Sequence, residues 1–419
     1  EKLKGVEYVH PFADVITDYK EIKKKSPKTH TVVMSSEYVD TSAGSGLVHC
    51  APGCGPEDYE VGHHNGLPAW NVVDERGRFP DTMKEFGGLT AKKDDAKFID
   101  ALRSRGVLIA TTKVEHEYGH CQRCHEPIIF RTTKQWFFKV EDLKDKMVEA
   151  NKRIAWVPEA AFNAFDSWLK NLRDNSITKQ NFWGTPVPIW RCEKCEKYDV
   201  FGSVDELETV AKKKVSRLHR PWIDEITYAC DCGGTRKRIP DIFDVWVDAG
   251  TASWTCLDYP KRDDLFKKLF PADFILEGKD QIRGWFNLLM VASMLAFGKP
   301  PFRAVYMHGF IDDALGRKMS KSLGNQVEPE EIVSQYGADA LRYYQIGSAV
   351  PGLDQVYNFE DIKLKYKNLL VLWNVHNYLI DLAKNANLKD ATRFDLAELD
   401  TPEKYIISKL QTTIKEVTQ

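Results

Sequence analysis

The sequence lacks any apolar run that could cross a membrane, because a spanning helix needs roughly 20 predominantly apolar residues and charged side chains interrupt every candidate stretch. A signal-peptide pattern is also missing at its start. Neither sign of charge dominates, since 59 Lys and Arg face 61 Asp and Glu, and a nucleic-acid partner needs only a local basic face. We therefore expect a cytoplasmic globular protein with no membrane partner.

Cysteine is more frequent than a cytoplasmic chain needs for packing, which favours metal binding over disulfides. Cys192-x-x-Cys195 and Cys230-x-Cys232 are separated by 34 residues, 196 to 229. Two such pairs can present four thiolates to one ion, so we predict a four-cysteine zinc ribbon. The remaining Cys50, Cys54 and Cys256 are predicted to be packing residues.

A further pair, Cys121-x-x-Cys124, has no second cysteine pair to complete a tetrahedral site. His120 or His125 could supply the missing ligands. We therefore predict a second, incomplete metal site at this pair.

A lysine-rich loop carries the most specific motif of the chain. Its residues are Lys318, Met319, Ser320, Lys321 and Ser322, with Gly316 and Gly324 on either side. Two lysines and two hydroxyl residues in a glycine-flanked loop suit a polyphosphate that must be held and then released. A solvated surface loop is the alternative for such a pentapeptide taken alone.

Three strand-like runs upstream of this loop end in polar residues. One ends in Glu277-Gly278-Lys279-Asp280-Gln281, another in Trp246-Val247-Asp248, and the third in His308-Gly309. Ligands of parallel α/β sheets bind at the carboxyl ends of the strands. These three ends and the lysine loop are predicted to form one nucleotide pocket.

The first hundred residues contain a separate glycine-rich and polar group. A turn from Ser42 to His49 leads through Pro52 and Gly55 to Asp58. Glycines let a backbone approach a ligand closely, and a carboxylate can pair with an ammonium group. A structural turn with a helix-capping aspartate is the alternative.

Taken together, these motifs resemble those of the class I aminoacyl-tRNA synthetases. The lysine loop matches the KMSKS signature, and the strings around Trp246 and Trp285 are similar to those of isoleucyl-tRNA synthetases. Departures occur at Val247, at Ala249 and at 177–181, where the family carries a Ser-Arg-Gln-Arg-like stretch. The missing arginines put in doubt the phosphate or tRNA contacts that they make in the family.

The resemblance implies an isoleucine–tRNA ligase that uses ATP, L-isoleucine and tRNA(Ile), with Zn²⁺ and with Mg²⁺ on ATP, in a monomeric protein. It assigns Lys318 and Lys321 to catalysis and Trp246 and Trp285 to the amino-acid pocket. It also assigns His49 and Asp58 to hydrolytic editing of valyl-tRNA. Such a synthetase needs editing because the one methylene that distinguishes isoleucine from valine is worth only about 1–3 kcal/mol of discrimination. The implied ATP and adenylate ligands are Glu277, Gly278, Asp280, Gln281, His308, Gly309, Met319, Ser320 and Ser322.

The expected fold is α/β, with the second half of a Rossmann-type catalytic domain as its main part. We predict five segments: a β-rich part of an editing domain (1–110), a zinc-knuckle connector (111–160), a catalytic segment with the zinc ribbon (161–240), the catalytic second half (241–350), and a linker with the first helices of an anticodon-binding domain (351–419). Helical spacing around Trp373 predicts that this side chain lies in a core.

The family's His-x-Gly-His motif is missing from this sequence, and the chain begins with Glu1. We therefore expect a piece of a longer protein that is inactive in synthesis by itself. Valyl- or leucyl-tRNA synthetases share the fold and the reaction and remain alternatives. A non-catalytic tRNA-binding or zinc-ribbon module derived from a synthetase is an alternative of another class.

Overall fold

The computed structural model describes residues 2–42, 44–121, 124–320, 323–387 and 395–418. The chain divides into two compact units, Glu1–Gln135 and Trp136–Gln419. Helices and strands are both present, which confirms the predicted α/β class. Within the described ranges, every helix is either too short or too polar to cross a membrane. The five-segment division stays a prediction.

The described residues of the first unit include three α-helices and a small apolar core. The helices are α1 (Tyr19–Lys25), α2 (Pro56–Asn65) and α3 (Asp95–Ser104), with a 3₁₀ helix at Asp81–Phe86. The core consists of Val15, Ile16, Ile22, Met83 and Phe86, with partly buried aromatic side chains around them. Helix α2 begins with proline at its first position, a favoured start, and ends at Gly66 in the left-handed conformation.

The predicted β-rich character of residues 1–110 is not reproduced by this structure. In 2–42 and 44–110 the backbone forms only isolated bridges, Glu7 with Thr31 and Arg78 with Thr90. Extended segments become strands only where a partner continues the ladder over several residues. Here the pairing stops after a few bonds, such as Tyr8 N–H to the His30 carbonyl at 3.0 Å.

The second unit holds the strands and most of the helices. Its strands are β1 (Phe137–Phe138), β2 (Ala155–Val157), β3 (Asn175–Ser176), β4 (Thr178–Lys179), β5 (Ile189–Cys192), β6 (Tyr198–Val200), β7 (Thr227–Ala229), β8 (Thr235–Arg238), β9 (Ile242–Phe243), β10 (Ile275–Gly278), β11 (Ala304–His308), β12 (Ile311–Asp312) and β13 (Gln355–Val356). Its helices are α4 (Lys144–Asn151), α5 (Glu159–Lys170), α6 (Val204–Ala211), α7 (Val245–Gly250), α8 (Ala252–Thr255), α9 (Asp264–Leu269), α10 (Trp285–Phe297), α11 (Pro329–Tyr336), α12 (Ala338–Gly347), α13 (Phe359–Asn385) and α14 (Thr401–Thr418). Short 3₁₀ helices occur at Glu141–Leu143, Trp222–Glu225, Lys279–Ile282 and Leu396–Glu398.

A parallel three-stranded sheet, in the order β10-β11-β2, positions the candidate nucleotide site. Helix α10 is apolar on all sides and packs against this sheet together with α5. The core between them includes Phe165, Phe286, Phe302 and Trp156, and burying one such side chain is worth roughly 1.5–3 kcal/mol. The sheet is thereby a rigid base for the residues at its carboxyl edge.

An antiparallel sheet in the order β6-β5-β8-β7 carries the four predicted zinc ligands. Cys192 is the last residue of β5, Cys195 lies in the turn between β5 and β6, and Cys230 and Cys232 lie in the turn between β7 and β8. Its core side chain, Trp190, is 1% exposed and donates its indole N–H to the Ile226 carbonyl at 2.7 Å. Three pairs of short strands, β1 with β3, β4 with β9 and β12 with β13, join the remaining segments.

The last part of the chain is helical, as its periodicity predicts. Helices α11 and α12 pack on the start of α13 around Ile332, Tyr344 and Ile362. Further along α13, Trp373 is 62% exposed, so its predicted core position is wrong for this structure. An apolar stripe on a helix is buried only where another element covers it.

Candidate active site and metal centre

The predicted strand ends Gly278 and His308 lie side by side. Parallel pairing of β10 with β11 sets Gly278 opposite His308. A Cβ atom on Gly278 would lie 3.2 Å from His308 Cε1 and 2.6 Å from Asp280 Oδ1, so a larger residue there would displace these two side chains. Gly309, which follows His308, is more tightly constrained, because its Cβ would lie 2.0 Å from the backbone carbonyl oxygen of Leu353. The carboxyl edge of β10 and β11 therefore presents the main chain at Gly278 and Gly309 and the imidazole of His308.

The segment after β10 is held by the side chain of Gln281. Its amide donates to Asp280 Oδ2 at 3.0 Å, and its Oε1 accepts the Trp285 N–H at 2.8 Å. This second bond satisfies a backbone donor at the start of α10 that has no partner within the helix. Asp280 and Glu277 are exposed at the strand end, where a ligand can reach them.

The two predicted pocket tryptophans meet where α7 approaches α10. Trp285 donates its indole N–H to the Ala249 carbonyl at 2.9 Å. A Cβ atom on Gly284 would lie 3.2 Å from the ring of Trp246, so the two segments are in close contact. Trp246 is 41% exposed, whereas Trp285 packs partly into the core. One ring is therefore free for a ligand and the other supports it.

Asp354 was not predicted from the sequence, yet it links three parts of this edge. Its carboxylate pairs with Lys279 Nζ at 2.6 Å and accepts the Phe310 N–H at 2.7 Å. The hydrogen bond from Lys279 lowers the pKa of Asp354. Lys279 and Lys318 both lie over the Phe310 ring, at 5.0 and 5.9 Å from its centroid. This brings Lys318 of the lysine loop to the strand ends.

The lysine loop is organised around buried Asp313. The Asp313 carboxylate accepts the backbone N–H groups of Leu315 and Arg317 at 2.9 and 2.8 Å. It also accepts the Asn325 amide at 3.0 Å and the Arg317 guanidinium at 2.9 Å. The bond from Asn325, followed by those from Arg317, holds the pKa of Asp313 well below its usual range.

Asn325 completes this arrangement from the far side of the loop. Its amide donates to the Lys318 carbonyl at 3.1 Å, and its Oδ1 accepts the Ser320 N–H at 2.9 Å. The backbone of the loop is therefore tied down while the Lys318 side chain is exposed, with Met319 half-buried. Lys321 and Ser322 lie outside the described residues.

The four predicted zinc ligands come together. The sulfur atoms of Cys192, Cys195, Cys230 and Cys232 all lie within 4.8 Å of one another. Cys192 Sγ is 3.5 Å from Cys232 Sγ, and Cys195 Sγ is 3.7 Å from Cys230 Sγ. Four sulfurs bound tetrahedrally at the usual zinc–sulfur distance would be about 3.8 Å apart. The donor set and its spacing therefore fit a metal ion.

The hairpin backbones explain this convergence. Gly233 adopts a φ of +77°, which lets the Cys230 N–H reach the Gly234 carbonyl at 2.8 Å. Backbone N–H groups of Cys195 and then of Lys194 point at the Cys192 sulfur and lower the pKa of Cys192 to about 6. Hydrogen bonds with neighbouring sulfurs, Cys195 first, raise the pKa of Cys232 to about 12. Thiols that share protons in this way become thiolates when a cation is bound.

Cys121 and Cys124 lie in a tight turn of the first unit, where the Cys121 N–H donates to the Glu126 carbonyl at 2.9 Å. Among the described residues, no third histidine, cysteine or carboxylate joins them to form a ligand group. Neither His120 nor His125 completes a site there, and the second metal site stays a prediction.

The two predicted editing residues are separated in sequence by the turn that precedes α2 and by the first residues of that helix. His49 is exposed, and Asp58 is half-buried in the first turn of α2. Cys50 donates its thiol to the Asp58 carbonyl at 3.7 Å. Burial, followed by the negative charge of Asp58, raises the pKa of Cys50. Both residues thus belong to one region of the first unit.

Sequence reasoning missed an aromatic cluster in the same unit. His10 and His30 have ring centroids 6.0 Å apart, and His30 stacks on Tyr19 at 4.4 Å. Burial, then the charges of His30 and His49, lowers the pKa of His10. Isolated histidines give no sequence signal for such a cluster.

Comparison with known proteins places these features in context. The family model described as tRNA synthetases class I (I, L, M and V) matches residues 6–356. The isoleucine–tRNA ligase of Archaeoglobus fulgidus is 42% identical to this chain over 424 residues, which cover 100% of the chain and 40% of that protein. That of Methanocella arvoryzae is also 42% identical, over 100% of the chain and 37% of the relative.

Among solved structures, methionyl-tRNA synthetase of Mycobacterium tuberculosis bound by methionyl-adenylate is 26% identical, with a TM-score of 0.41, over 59% of this chain and 40% of that one. The chain spans about two fifths of the length of the curated relatives it matches.

Proposed function

Because this chain belongs to the class I tRNA synthetases, we propose that it provides the second half of the ATP and aminoacyl-adenylate site of an isoleucine–tRNA ligase. The observation that carries the proposal is the position of Lys318, whose Nζ lies 5.9 Å from the ring centroid of Phe310, two residues after the strand end at His308. Isoleucine is favoured over valine or leucine because curated relatives named isoleucine–tRNA ligase match the whole chain.

In this proposal, the carboxylate of the amino acid attacks the α-phosphate of ATP and pyrophosphate leaves. The protein contributes orientation and charge rather than a covalent nucleophile. Lys318 and Lys321 stabilise the departing phosphates, with Met319, Ser320 and Ser322 shaping the loop around them. Asp313 and Asn325 are positioning residues, because they hold the loop backbone and leave the Lys318 side chain for the ligand.

The strand ends bind the rest of the adenylate. His308 and Gly309 face the adenine side, where the absence of a Cβ on Gly309 lets the main chain at Leu353 pack closely against this edge. Gly278, Asp280 and Gln281, with Glu277 beside them, hold the aminoacyl-adenylate. Trp246 and Trp285 line the isoleucine side chain. Mg²⁺ belongs to the proposal as the partner of the ATP phosphates, whose charge it offsets.

Zinc is the metal that we propose for the four-cysteine cluster. Four thiolates in a closed tetrahedral arrangement are the ligand set of structural zinc sites. The ion would hold the β5–β6 and β7–β8 hairpins together. It would not take part in the reaction, since a site with four protein ligands leaves no position for substrate.

We also propose that the first unit edits valyl-tRNA, with Asp58 binding the substrate ammonium and His49 in the same pocket. tRNA(Ile), ATP and L-isoleucine are the proposed partners of a monomeric, cytoplasmic protein. By itself this chain should form no isoleucyl-adenylate, because positioned groups act together and half of a phosphate cradle loses orientation as well as charge.

ATP–pyrophosphate exchange on the gene product that contains this chain tests the synthetic proposal. Isoleucine should support exchange, and valine and leucine much less. Lys321→Ala should lower the exchange rate by about 10²–10³, as removal of one transition-state donor does, with little change in isoleucine affinity. Trp285→Ala should chiefly weaken isoleucine binding. Lys261→Ala, an exposed lysine away from the strand ends, is the control. Undiminished exchange in Lys321→Ala would remove the loop from the phosphate site.

Hydrolysis of valyl-tRNA tests the editing proposal separately. Asp58→Ala should abolish deacylation and leave isoleucine activation nearly intact. Glu57→Ala changes the neighbouring exposed carboxylate of the same helix turn and should leave deacylation unchanged. Equal deacylation by both variants would exclude Asp58 from the editing site.

A further inference from the structure

One face of the four-cysteine sheet carries three linked polar side chains beside the cysteines. Asp199 on β6, Tyr228 on β7 and Arg236 on β8 come from three different strands, and we call them the arginine network. The strand register sets Arg236 directly opposite both Tyr228 and Cys192. Residues that are directly opposite in antiparallel strands point to the same face of the sheet. The arginine network therefore lies on the face that Cys192 occupies.

The three side chains of the network hold one another in place. The Tyr228 hydroxyl donates to Asp199 Oδ2 at 2.7 Å, and the same oxygen pairs with Arg236 Nη1 at 3.0 Å. Tyr228 itself packs against the core around Trp190. The Arg236 side chain is 10% exposed, whereas that of Asp199 is 39% exposed. Water therefore screens the carboxylate much more than the guanidinium, which keeps most of its positive charge for its buried neighbours.

The buried neighbour of the guanidinium is the sulfur of Cys230. Burial lowers the pKa of Arg236, but the charge of Asp199 and then the charge of the Cys230 sulfur and a hydrogen bond to it raise that pKa above its ordinary value. In the part of the chain that the structure describes, Arg236 Nη1 is buried and has no hydrogen bond of good geometry, although it pairs with Asp199. The guanidinium therefore has an N–H group to offer beside the cysteines.

A metal ion bound by four thiolates needs such a donor. Four thiolates bring four negative charges and zinc brings two positive ones, so the filled site is a dianion. A buried charge is costly unless it is paired or hydrogen-bonded. A guanidinium is always charged, is weakly hydrated and can contact two partners with its planar fork. Arg236 therefore suits a position between Asp199 and a zinc-bound sulfur.

Other cations of the same two hairpins are paired with carboxylates at the surface. Lys237, the residue after Arg236, pairs with Glu193 at 2.9 Å, and Arg191 pairs with Glu196 at 2.8 Å. Their side chains are 54% and 35% exposed. Because water screens these charges, they offset the charge of the metal site less than Arg236 does.

The arginine network also stands where solvent reaches the cluster. A shallow pocket of about 610 Å³ is lined by Cys195, Asp199 and Arg236, among others. A chelator that removes the metal can approach through this pocket. Release requires a thiolate to leave the ion, and the positive charge of Arg236 favours the dianionic, metal-filled state.

We propose that Arg236 retains zinc in the four-cysteine cluster by contacting the Cys230 sulfur and offsetting the charge of the filled site. Asp199 and Tyr228 are positioning residues that hold the guanidinium in place. The inference rests on the zinc that the proposed function assigns to the cluster. Partners of metal ligands typically contribute about 10–100-fold to metal affinity without binding the ion themselves.

The rate of zinc release from the 419-residue chain to the chromogenic chelator 4-(2-pyridylazo)resorcinol tests the inference. Arg236→Met should release zinc about 10–100 times faster. Arg236→Lys keeps the charge without the planar fork and should recover part of the loss. Lys237→Met is the matched control, because it removes the same charge from the opposite face of the same strand. Its release rate should equal that of the unsubstituted chain.

Alkylation of the zinc-loaded chain separates charge compensation from a general loosening of the sheet. Iodoacetamide modifies the cysteines, and mass spectrometry locates each modified site. Cys230 and Cys192 are both buried, at 7% and 1% exposed. In Arg236→Met the alkylation of Cys230 should rise about tenfold relative to Cys192, because Cys230 loses the hydrogen bond from the guanidinium. A loosened sheet would raise the alkylation of both cysteines equally.

Equal zinc release by Arg236→Met and Lys237→Met would overturn the inference, as would an equal rise in alkylation at Cys230 and Cys192. Circular dichroism identifies a variant that has not folded. Tyr228→Phe, which keeps every charge, then decides the result: faster release than from the unsubstituted chain supports the inference, and an unchanged rate overturns it. An unsubstituted chain without zinc would refute the proposed metal and this inference together. A zinc-containing chain whose release rate does not depend on Arg236 would refute this inference alone.

Discussion

Gly309 is the position where the smallest added group should do the most damage to the site. A methyl group at Gly309 would lie 2.0 Å from the Leu353 carbonyl oxygen and 2.6 Å from the Asp354 nitrogen, and both of these are backbone atoms. Restoring an ordinary contact near 3.4 Å requires a movement of about 1.4 Å. Gly309→Ala should therefore push 350–357 away from β11 and β12.

The cost follows from what that movement breaks. Overpacking at a close contact costs about 2 kcal/mol. The shift also strains the hydrogen bonds from Gln355 N–H to the Phe310 carbonyl and from Phe310 N–H to Asp354, at 2.8 and 2.7 Å, each worth about 1 kcal/mol. The total is about 4 kcal/mol, which shifts the local opening equilibrium about a thousandfold toward the open state.

Amide hydrogen exchange measures this opening locally, so it does not require the whole chain to unfold in one step. Peptides from 304–312 and 350–357 should exchange about a thousandfold faster in Gly309→Ala. Gly298→Ala is the matched control, because that glycine has a φ of +64° and open space around its Cβ position. The control should cost only the 1–2 kcal/mol or so of a left-handed alanine and leave these peptides unchanged. Equal exchange in the two variants would refute the reasoning.

Three further predictions concern other parts of the chain. Elemental analysis of the purified protein should find one zinc per chain. The Cys230→Ser variant should lose this zinc and the Cys256→Ser variant should keep it. Unchanged zinc content in Cys230→Ser would contradict the assignment. Asp313→Ala should release the lysine loop and accelerate tryptic cleavage there. Asp339→Ala, a substitution at an exposed helical site, should leave the cleavage rate unchanged. Equal cleavage rates in the two variants would show that Asp313 does not hold the loop. Burial lowers the pKa of His10 below its ordinary 6.5, so the first unit should have its full stability above pH 6.5 and lose some as the pH falls below it; an NMR titration that places the pKa of His10 above 6.5 would reverse the sign.

The sequence motifs predicted the family, which the family match confirms, and also the cysteine cluster that the structure assembles. Both predictions rest on residues whose spacing is itself the chemical signal. Asp313 and Asp354 could not be predicted in the same way. Their roles depend on bonds to Asn325 and Lys279, and an aspartate in a turn is common whether or not it organises a site.

Burial and pairing were the least predictable properties. The extended stretches of the first unit have the composition of strands, but a strand is defined by its partner, and the backbone pairing there ends after a few bonds. Trp373 has the helical spacing of a core residue and is exposed, because periodicity identifies a face of α13 without identifying what packs on it.

A metal ion bound by the four-cysteine cluster would also close a loop of the chain. Cys195 and Cys230 bound to one ion would close a loop of 34 residues, 196 to 229, and that loop contains Arg217, His219 and Trp222. Closing a loop of this size removes conformational freedom that the segment would otherwise have to lose each time it engages a ligand. Loss of the metal would thus leave every ring and guanidinium of that segment chemically intact and still release its backbone, so metal content would control the order of the segment without any change in its side chains.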